Sequence, residues 1–230
     1  MRRCFIAEIV SPSWGAGLLL ALTTACTGSD DGDRPAAEES GTAAAHSPAP
    51  GSTEAPAGWR RHQGRGYTLA LPPGWQIVDP TAHGAPSVRR AFGLEGGEFP
   101  ELVEEALKEL AGDGAVFAIE TATVQTDYAN HLQAGCAPGG LIGNDLETLR
   151  RKARTINKGS ENLQITDVTV GDKPGIRISH VRTASNGAAH DTVEIQVPGP
   201  GDQVCEIEIN TASGRPAADR EQILATFRLT

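Results

Sequence analysis

Between Thr27 and Gly58 the chain contains no Val, Ile, Leu, Met, Phe, Trp or Tyr. Gly, Ser, Thr, Ala, Pro and acidic residues dominate these 32 positions. Such a stretch has nothing to bury, so it cannot offset the entropy lost on ordering, and it reads as a disordered linker. Any folded domain is thereby confined to residues 59–230. As a flexible coil the linker would span roughly 30 Å. The 172 residues that follow are enough for one domain with a proper core. Only 4% of the chain is aromatic, so an aliphatic core is expected.

The residues before the linker read as an address. Arg2 and Arg3 supply a positive start, no charged residue lies between Ile9 and Ser29, and an apolar run extends from Trp14 to Leu22. A membrane-spanning helix needs about 20 apolar residues, so this shorter run fits a signal peptide better than a permanent span. Leu18-Leu19-Leu20-Ala21-Leu22-Thr23-Thr24-Ala25-Cys26 resembles the lipobox of bacterial lipoproteins. Two departures stand out: Thr23 occupies the position where leucine is most usual, and Glu8 precedes the apolar run. The resemblance implies a signal peptide over residues 1–25 and a lipid anchor, palmitate included, on Cys26. It also implies a location on the outer face of the cytoplasmic membrane. An ordinary cleaved signal and an uncleaved anchor are the alternatives.

The chain has 20 Lys and Arg against 29 Asp and Glu. Loss of residues 1–25 removes Arg2, Arg3 and Glu8, leaving 18 against 28, a net charge of −10. That balance argues against nucleic acid, because there is no counterion-release drive toward phosphate, and against a charge-held membrane contact. Cys4 lies in the signal and Cys26 takes the anchor, which leaves Cys136 and Cys205. In an exported, oxidising setting the two are expected to pair, with two buried free thiols as the alternative.

Residues 59–230 carry a mixed pattern. Tyr67, Leu69 and Leu71 alternate with Thr68 and Ala70 before a Pro72-Pro73-Gly74 turn, and a loop rich in Pro and Gly follows. Pro100 to Gly112 predicts a helix with Leu102, Ala106, Leu107 and Leu110 on its apolar stripe. Val116–Val124 and an irregular Tyr128–Cys136 predict strands. Asn144, with Glu147 three residues on, predicts the cap of a second helix whose apolar positions are Leu146, Leu149, Ala153 and Ile156. Alternation then predicts a meander. Its stretches are Leu163–Val170, Ile176 onward, Val193–Val197 after an Asn186-Gly187 hairpin, and Cys205–Ile209. In the last of these Cys205, Ile207 and Ile209 share one face and Glu206, Glu208 and Asn210 the other. Pro216 predicts a closing helix with Ile223, Leu224 and Phe227 buried. This order describes an α+β domain, an antiparallel β-sheet with helices packed on it.

Gly66-Tyr67-Thr68-Leu69-Ala70-Leu71-Pro72-Pro73-Gly74-Trp75, Lys173-Pro174-Gly175 and Ile223-Leu224-Ala225-Thr226-Phe227-Arg228 together resemble the PsbP-like fold, most of all actinobacterial lipoproteins of the LpqN type. The resemblance covers residues 59–230. It implies an alpha-beta-alpha sandwich used as a binding or assembly module at the cell envelope. No catalytic residue comes with it, and the cysteine pair has no counterpart in the pattern.

No catalytic, cofactor or metal-binding motif is recognisable. The six histidines are dispersed, with no His-Glu-x-x-His, and no nucleophile elbow or phosphate loop is present. His180 shares a face with Ile176 and Ile178 and reads as a hydrogen-bonded core histidine, while His190-Asp191 reads as a surface turn pair. Glu194, Glu206 and Glu208 read as one solvated acidic sheet face suited to a partner. The chain is thus expected to be a non-enzymatic, lipid-anchored envelope protein that binds envelope protein partners. The alternative is a carrier holding a small apolar ligand or lipid in a cavity between sheet and helices.

Overall fold

The computed structural model describes residues 55–96, 99–139, 144–184 and 187–230. The expected signal peptide, Cys26 and nearly all of the expected linker lie outside the described residues, as does Asn186 of the expected hairpin.

Strands β1 (Arg60–Gln63) and β2 (Tyr67–Leu71) form a hairpin, and β3 (Trp75–Ile77) follows. A short helix α1 (Pro86–Ala91) sits where a Pro/Gly-rich loop is expected, with Pro86 opening it in the first helical turn. Then come α2 (Pro100–Gly112), β4 (Val116–Glu120), β5 (His131–Pro138) and α3 (Leu146–Ile156). The meander is β6 (Glu161–Val170), β7 (Lys173–Thr183), β8 (Ala189–Pro198) and β9 (Gln203–Ala212). The chain ends on α4 (Arg220–Thr226) and β10 (Arg228–Leu229). The last helix thus begins four residues after Pro216.

Seven antiparallel strands form the main sheet in the order β3-β4-β5-β9-β8-β7-β6, and β1-β2-β10 form a second, smaller sheet. The small sheet and α4 cover one face of the large sheet. Tyr67, Leu69, Leu71, Ile223, Leu224 and Phe227 meet Val193, Ile195, Val197, Cys205, Ile207 and Ile209 there in the main core. The opposite face is covered only at its flanks. Val88, Phe92 and Leu107 of the α1 and α2 region pack on Phe117 and Ile119 of β4. Leu149 and Ala153 of α3 pack on Ile176 and Ile178 of β7. The molecule is therefore an α+β structure of antiparallel sheets with helices packed on them.

Several local expectations shift. The cap of α3 is Asp145, which accepts from the Thr148 amide at 2.9 Å, in place of Asn144. In α2 the core-facing stripe runs through Val103, Ala106, Leu107 and Leu110, while Leu102 is 48% exposed beside the exposed Phe99. A one-residue rotation about the helix axis is enough to make that change. Gly175 has a strict role in β7: a Cβ there would lie 2.7 Å from the Gln196 carbonyl oxygen of β8.

Tyr67 fastens the two sheets. Its ring is fully buried, and its hydroxyl donates toward the carbonyls of Ala134 at 2.9 Å and Gly114 at 3.1 Å. Tyr67→Phe keeps the ring and removes the hydroxyl's bonds to both carbonyls. The expected cost is about 1 to 2 kcal/mol in urea unfolding, and a loss below about 0.3 kcal/mol would show that the hydroxyl does not join the sheets.

Cys136 and Cys205 form a disulfide, directly opposite one another across β5 and β9. Cys205 points into the main core, as its alternation predicts.

Candidate functional site

Antiparallel register decides which side chains share a face. Across the middle of the large sheet, Gln133 of β5 opposes Glu208 of β9, Glu208 opposes Glu194 of β8, and Glu194 opposes Ile178 of β7. One step along, Glu206 opposes Gln196; on the other side, Asn210 lies between His131 and Thr192, and Thr192 opposes His180. These residues form a continuous polar strip on the helix-bearing face, between the α1/α2 flank and the α3 flank.

The strip is buried. Glu194 is 3% exposed, Glu208 6%, Gln196 6% and His180 3%, and Glu206 is half-buried. The solvated acidic face expected from alternation is therefore corrected. A period of two separates the two faces of a strand but does not say how deeply the polar one is buried.

Hydrogen bonds run along the strip. Asn210 Nδ2 donates to Glu208 Oε1 at 2.5 Å and lies 3.2 Å from His131 Nε2. Gln133 Nε2 donates to Glu208 Oε2 at 3.3 Å, Thr192 Oγ1 to Asn210 Oδ1 at 2.6 Å, and Gln196 Nε2 to Glu194 Oε1. Arg182 reaches in from β7, yet its guanidinium donates to Asn157 Oδ1 and, at 3.3 Å, to Ser160 Oγ. Tyr128 stacks on His190 with ring centroids 5.0 Å apart. His190 and Asp191 belong to β8, paired with Arg182 and Val181, and are not a surface turn.

The pairing is incomplete. Among the described residues, both ring nitrogens of His180, His190 Nδ1 and Gln196 Oε1 are buried with no hydrogen-bond partner. His180 is thus the core histidine expected, but without the expected hydrogen bond.

Electrostatics follow from burial. Desolvation, then the charges of Glu206 and Glu208, push Glu194 well above the usual carboxylate range. Glu206 rises to about 7 through burial and the neighbouring Glu208, opposed by the Lys152 charge and by hydrogen bonds with Glu194 and Gln196. Burial also raises Glu208, opposed by its amide donors and by Arg182. Burial lowers His131 to about 3, and His180 and His190 to about 4, so all three rings are neutral near pH 7. Chemically the strip gathers carboxyls that hold protons more tightly than ordinary ones beside neutral imidazole rings.

Alternation alone grouped Glu194, Glu206 and Glu208 on one face, and the observed register sets them side by side there. Tyr128, Gln133, Arg182 and His190 lacked such a signal, because nothing local announces which residues a neighbouring strand sets opposite them. Among the described residues no group of three His, Cys, Asp or Glu side chains is arranged to hold a metal ion. A separate cavity of about 380 Å³ is lined by Gly58, Arg60, Pro73, Trp75, Gln76 and Thr121. This lining is not the Leu, Ile and Val surface that an apolar carrier calls for.

No protein-family model matches this sequence, and no curated protein matches it. Solved structures do. One is a protein of Bacteroides thetaiotaomicron VPI-5482, 13% identical with TM-score 0.40 over 71% of this chain; the chain spans only 45% of that protein. A second is the cyanobacterial PsbP, CyanoP, of Synechocystis sp. PCC 6803, 11% identical with TM-score 0.45, over 80% of this chain and 99% of that one. A third is the Saccharomyces cerevisiae Ran-binding protein Mog1p, 12% identical with TM-score 0.40, over 71% of this chain and 90% of that one. The α+β architecture rests on the sheets and helices described above.

Proposed function

We propose that this chain is a non-enzymatic binding module of the cell envelope, tethered to the outer face of the cytoplasmic membrane through a lipid on Cys26, and that the half-buried Glu206 end of the polar strip contacts an envelope protein partner. The LpqN-type resemblance belongs to the same proposal. One observation carries the choice of contact. The strip concentrates three carboxyls with unpaired buried acceptors between two helical flanks, at a place where packing alone would favour apolar side chains. Natural cores keep such groups where they serve recognition or chemistry, and recognition is the reading taken here.

The test uses full-length protein in its native envelope with a photo-crosslinking amino acid at position 152. Lys152 sits half-buried on α3, and its charge acts on Glu206. The expected result is a discrete protein adduct at position 152 that Glu206→Gln weakens. Adducts to lipid alone would support the apolar-carrier reading instead, and no adduct would remove the strip as a contact. Loss of membrane retention in Cys26→Ser checks the tether separately.

A further inference from the structure

We infer that the small sheet is a membrane-facing surface that seats on anionic lipid headgroups through Arg60, Arg61, Arg65 and Arg228. The inference rests on the reading of Cys26 as a lipid tether and says which way the domain faces from it.

Charge is unevenly divided in the domain. Residues 59–230 carry 17 Lys and Arg against 22 Asp and Glu, yet residues 55–78 contain Arg60, Arg61 and Arg65 with no acidic residue. Residues 222–230 add Arg228, again with no acid. The topology joins the two stretches, because β1 and β10 both pair with β2. With those four arginines set aside, the rest of residues 59–230 holds 13 basic residues against 22 acidic ones. The negative overall balance conceals one basic sheet, and an electrostatic contact is decided by the face presented rather than by the sum.

Strand alternation sets the orientation. Tyr67, Leu69 and Leu71 point into the main core, so Thr68 and Ala70 point to the other side of the small sheet. Arg61 lies opposite Ala70 and Arg228 opposite Thr68, which puts both on that outer side. Arg60 opens β1 and Arg65 lies in the turn after it; both, like Arg61, are exposed, and Arg228 is half-buried. Arg60 Nη2 donates to the Trp75 carbonyl at 2.6 Å, Arg65 Nη1 to Asp113 Oδ1 at 3.4 Å and Arg228 Nη1 to the Phe227 carbonyl at 2.7 Å. A guanidinium carries five N–H groups, so these bonds leave donors for phosphate oxygens. Acids on neighbouring elements already have donors: Asp219 accepts from Trp75 Nε1 at 3.3 Å, and Glu221 from Arg177 at 2.8 Å. Arg60 also lines the cavity beside Gly58, which gives a headgroup room to approach it.

The tether reaches the domain on this same sheet. The chain passes from Gly58 and Trp59 directly into β1. An anionic bilayer attracts basic side chains within about a Debye length and repels the acidic remainder, and both effects turn the small sheet toward it. The polar strip lies on the opposite face of the large sheet from the small sheet, so this seating leaves the Glu206 end turned away from the lipid.

The test reconstitutes the full-length lipidated protein on vesicles of phosphatidylcholine, alone or with about 30 mol% phosphatidylglycerol. Energy transfer from Trp59 and Trp75 to dansyl-phosphatidylethanolamine reads how closely the domain sits, and flotation reads the tether. Transfer should be higher on the anionic vesicles and should fall to the neutral-vesicle level in about 0.5 M NaCl. Arg61→Gln should lower the seated population about fivefold, as should Arg65→Gln, while Lys108→Gln on α2 removes the same charge without that effect. The lipid and salt comparisons on the unaltered chain carry the test if a variant fails to fold. Equal transfer on both vesicles, or an equal loss in Lys108→Gln, would overturn the inference. Protein that floats with both vesicles but shows equal transfer keeps the tether and loses this inference. Protein that floats only with anionic vesicles loses the tether and keeps the basic face, and protein that floats with neither loses both.

Discussion

Stability against urea is expected to be highest between about pH 4.5 and 6.5 and to fall on both sides, because the buried strip holds acids and bases shifted in opposite directions. Glu194, Glu206 and Glu208 have folded-state values raised above the ordinary glutamate value. The folded state therefore binds their protons more tightly than the unfolded chain. Their contribution is complete below about pH 4.5 and is lost as pH rises through the folded values, near 7 for Glu206. At about 1.4 kcal/mol per pH unit, Glu206 alone removes on the order of 3 kcal/mol once ionised. His131, His180 and His190 act the other way. Their folded values lie near 3 to 4, below the ordinary 6.5, so their contribution is complete above about pH 6.5 and is lost as pH falls. Between these limits the two slopes oppose, and a plateau results. Urea midpoints measured from pH 4 to pH 9 check the shape. Glu206→Gln should flatten the alkaline limb and leave the acid limb in place. A stability that climbs steadily from about pH 5 to 8 would show that the carboxyls are not buried as described.

Removing the Cys136–Cys205 bridge should cost about 4 kcal/mol, from the loop entropy of a 69-residue separation. For a domain of this size that is on the order of 10 °C in melting temperature. The bridge ties β5 to β9, the central strand of the large sheet, and Cys205 sits inside the main core. Cys136→Ser with Cys205→Ser would add a buried hydroxyl at position 205, so Cys136→Ala with Cys205→Ala is the cleaner comparison. Unfolding with and without reductant supplies a second measurement on the unaltered chain. A loss under about 1 kcal/mol in both experiments would mean that the β5–β9 pairing and its core contacts already restrain the chain without the bridge.

The two effects meet on one strand. Strand β9 alternates Cys205, Ile207 and Ile209 into the main core with Glu206, Glu208 and Asn210 onto the strip. A change on either face is therefore felt through the same ladder. The Glu206→Gln comparison at acid pH provides the internal control, since the wild-type carboxyl is itself protonated there.

The amino-acid sequence by itself determined which faces exist. Period-two alternation placed Tyr67, Leu69 and Leu71 in a core, set Cys205 on the apolar side of its strand, and grouped Glu206, Glu208 and Asn210 on the other side. It also set residues 27–58, which have nothing to bury, apart from the residues that supply a core, because burial capacity is a property of composition. Only the tertiary structure decided what lies over each face. Helices α1, α2 and α3 flank the polar side of the large sheet, and the strip between them is a buried acid strip where a solvated surface was expected. Strand order set Glu208 between Gln133 and Glu194, and Cys136 opposite Cys205. Those pairings join residues 69 or more positions apart, or depend on a neighbouring strand's register, and alternation within one strand carries no information about either.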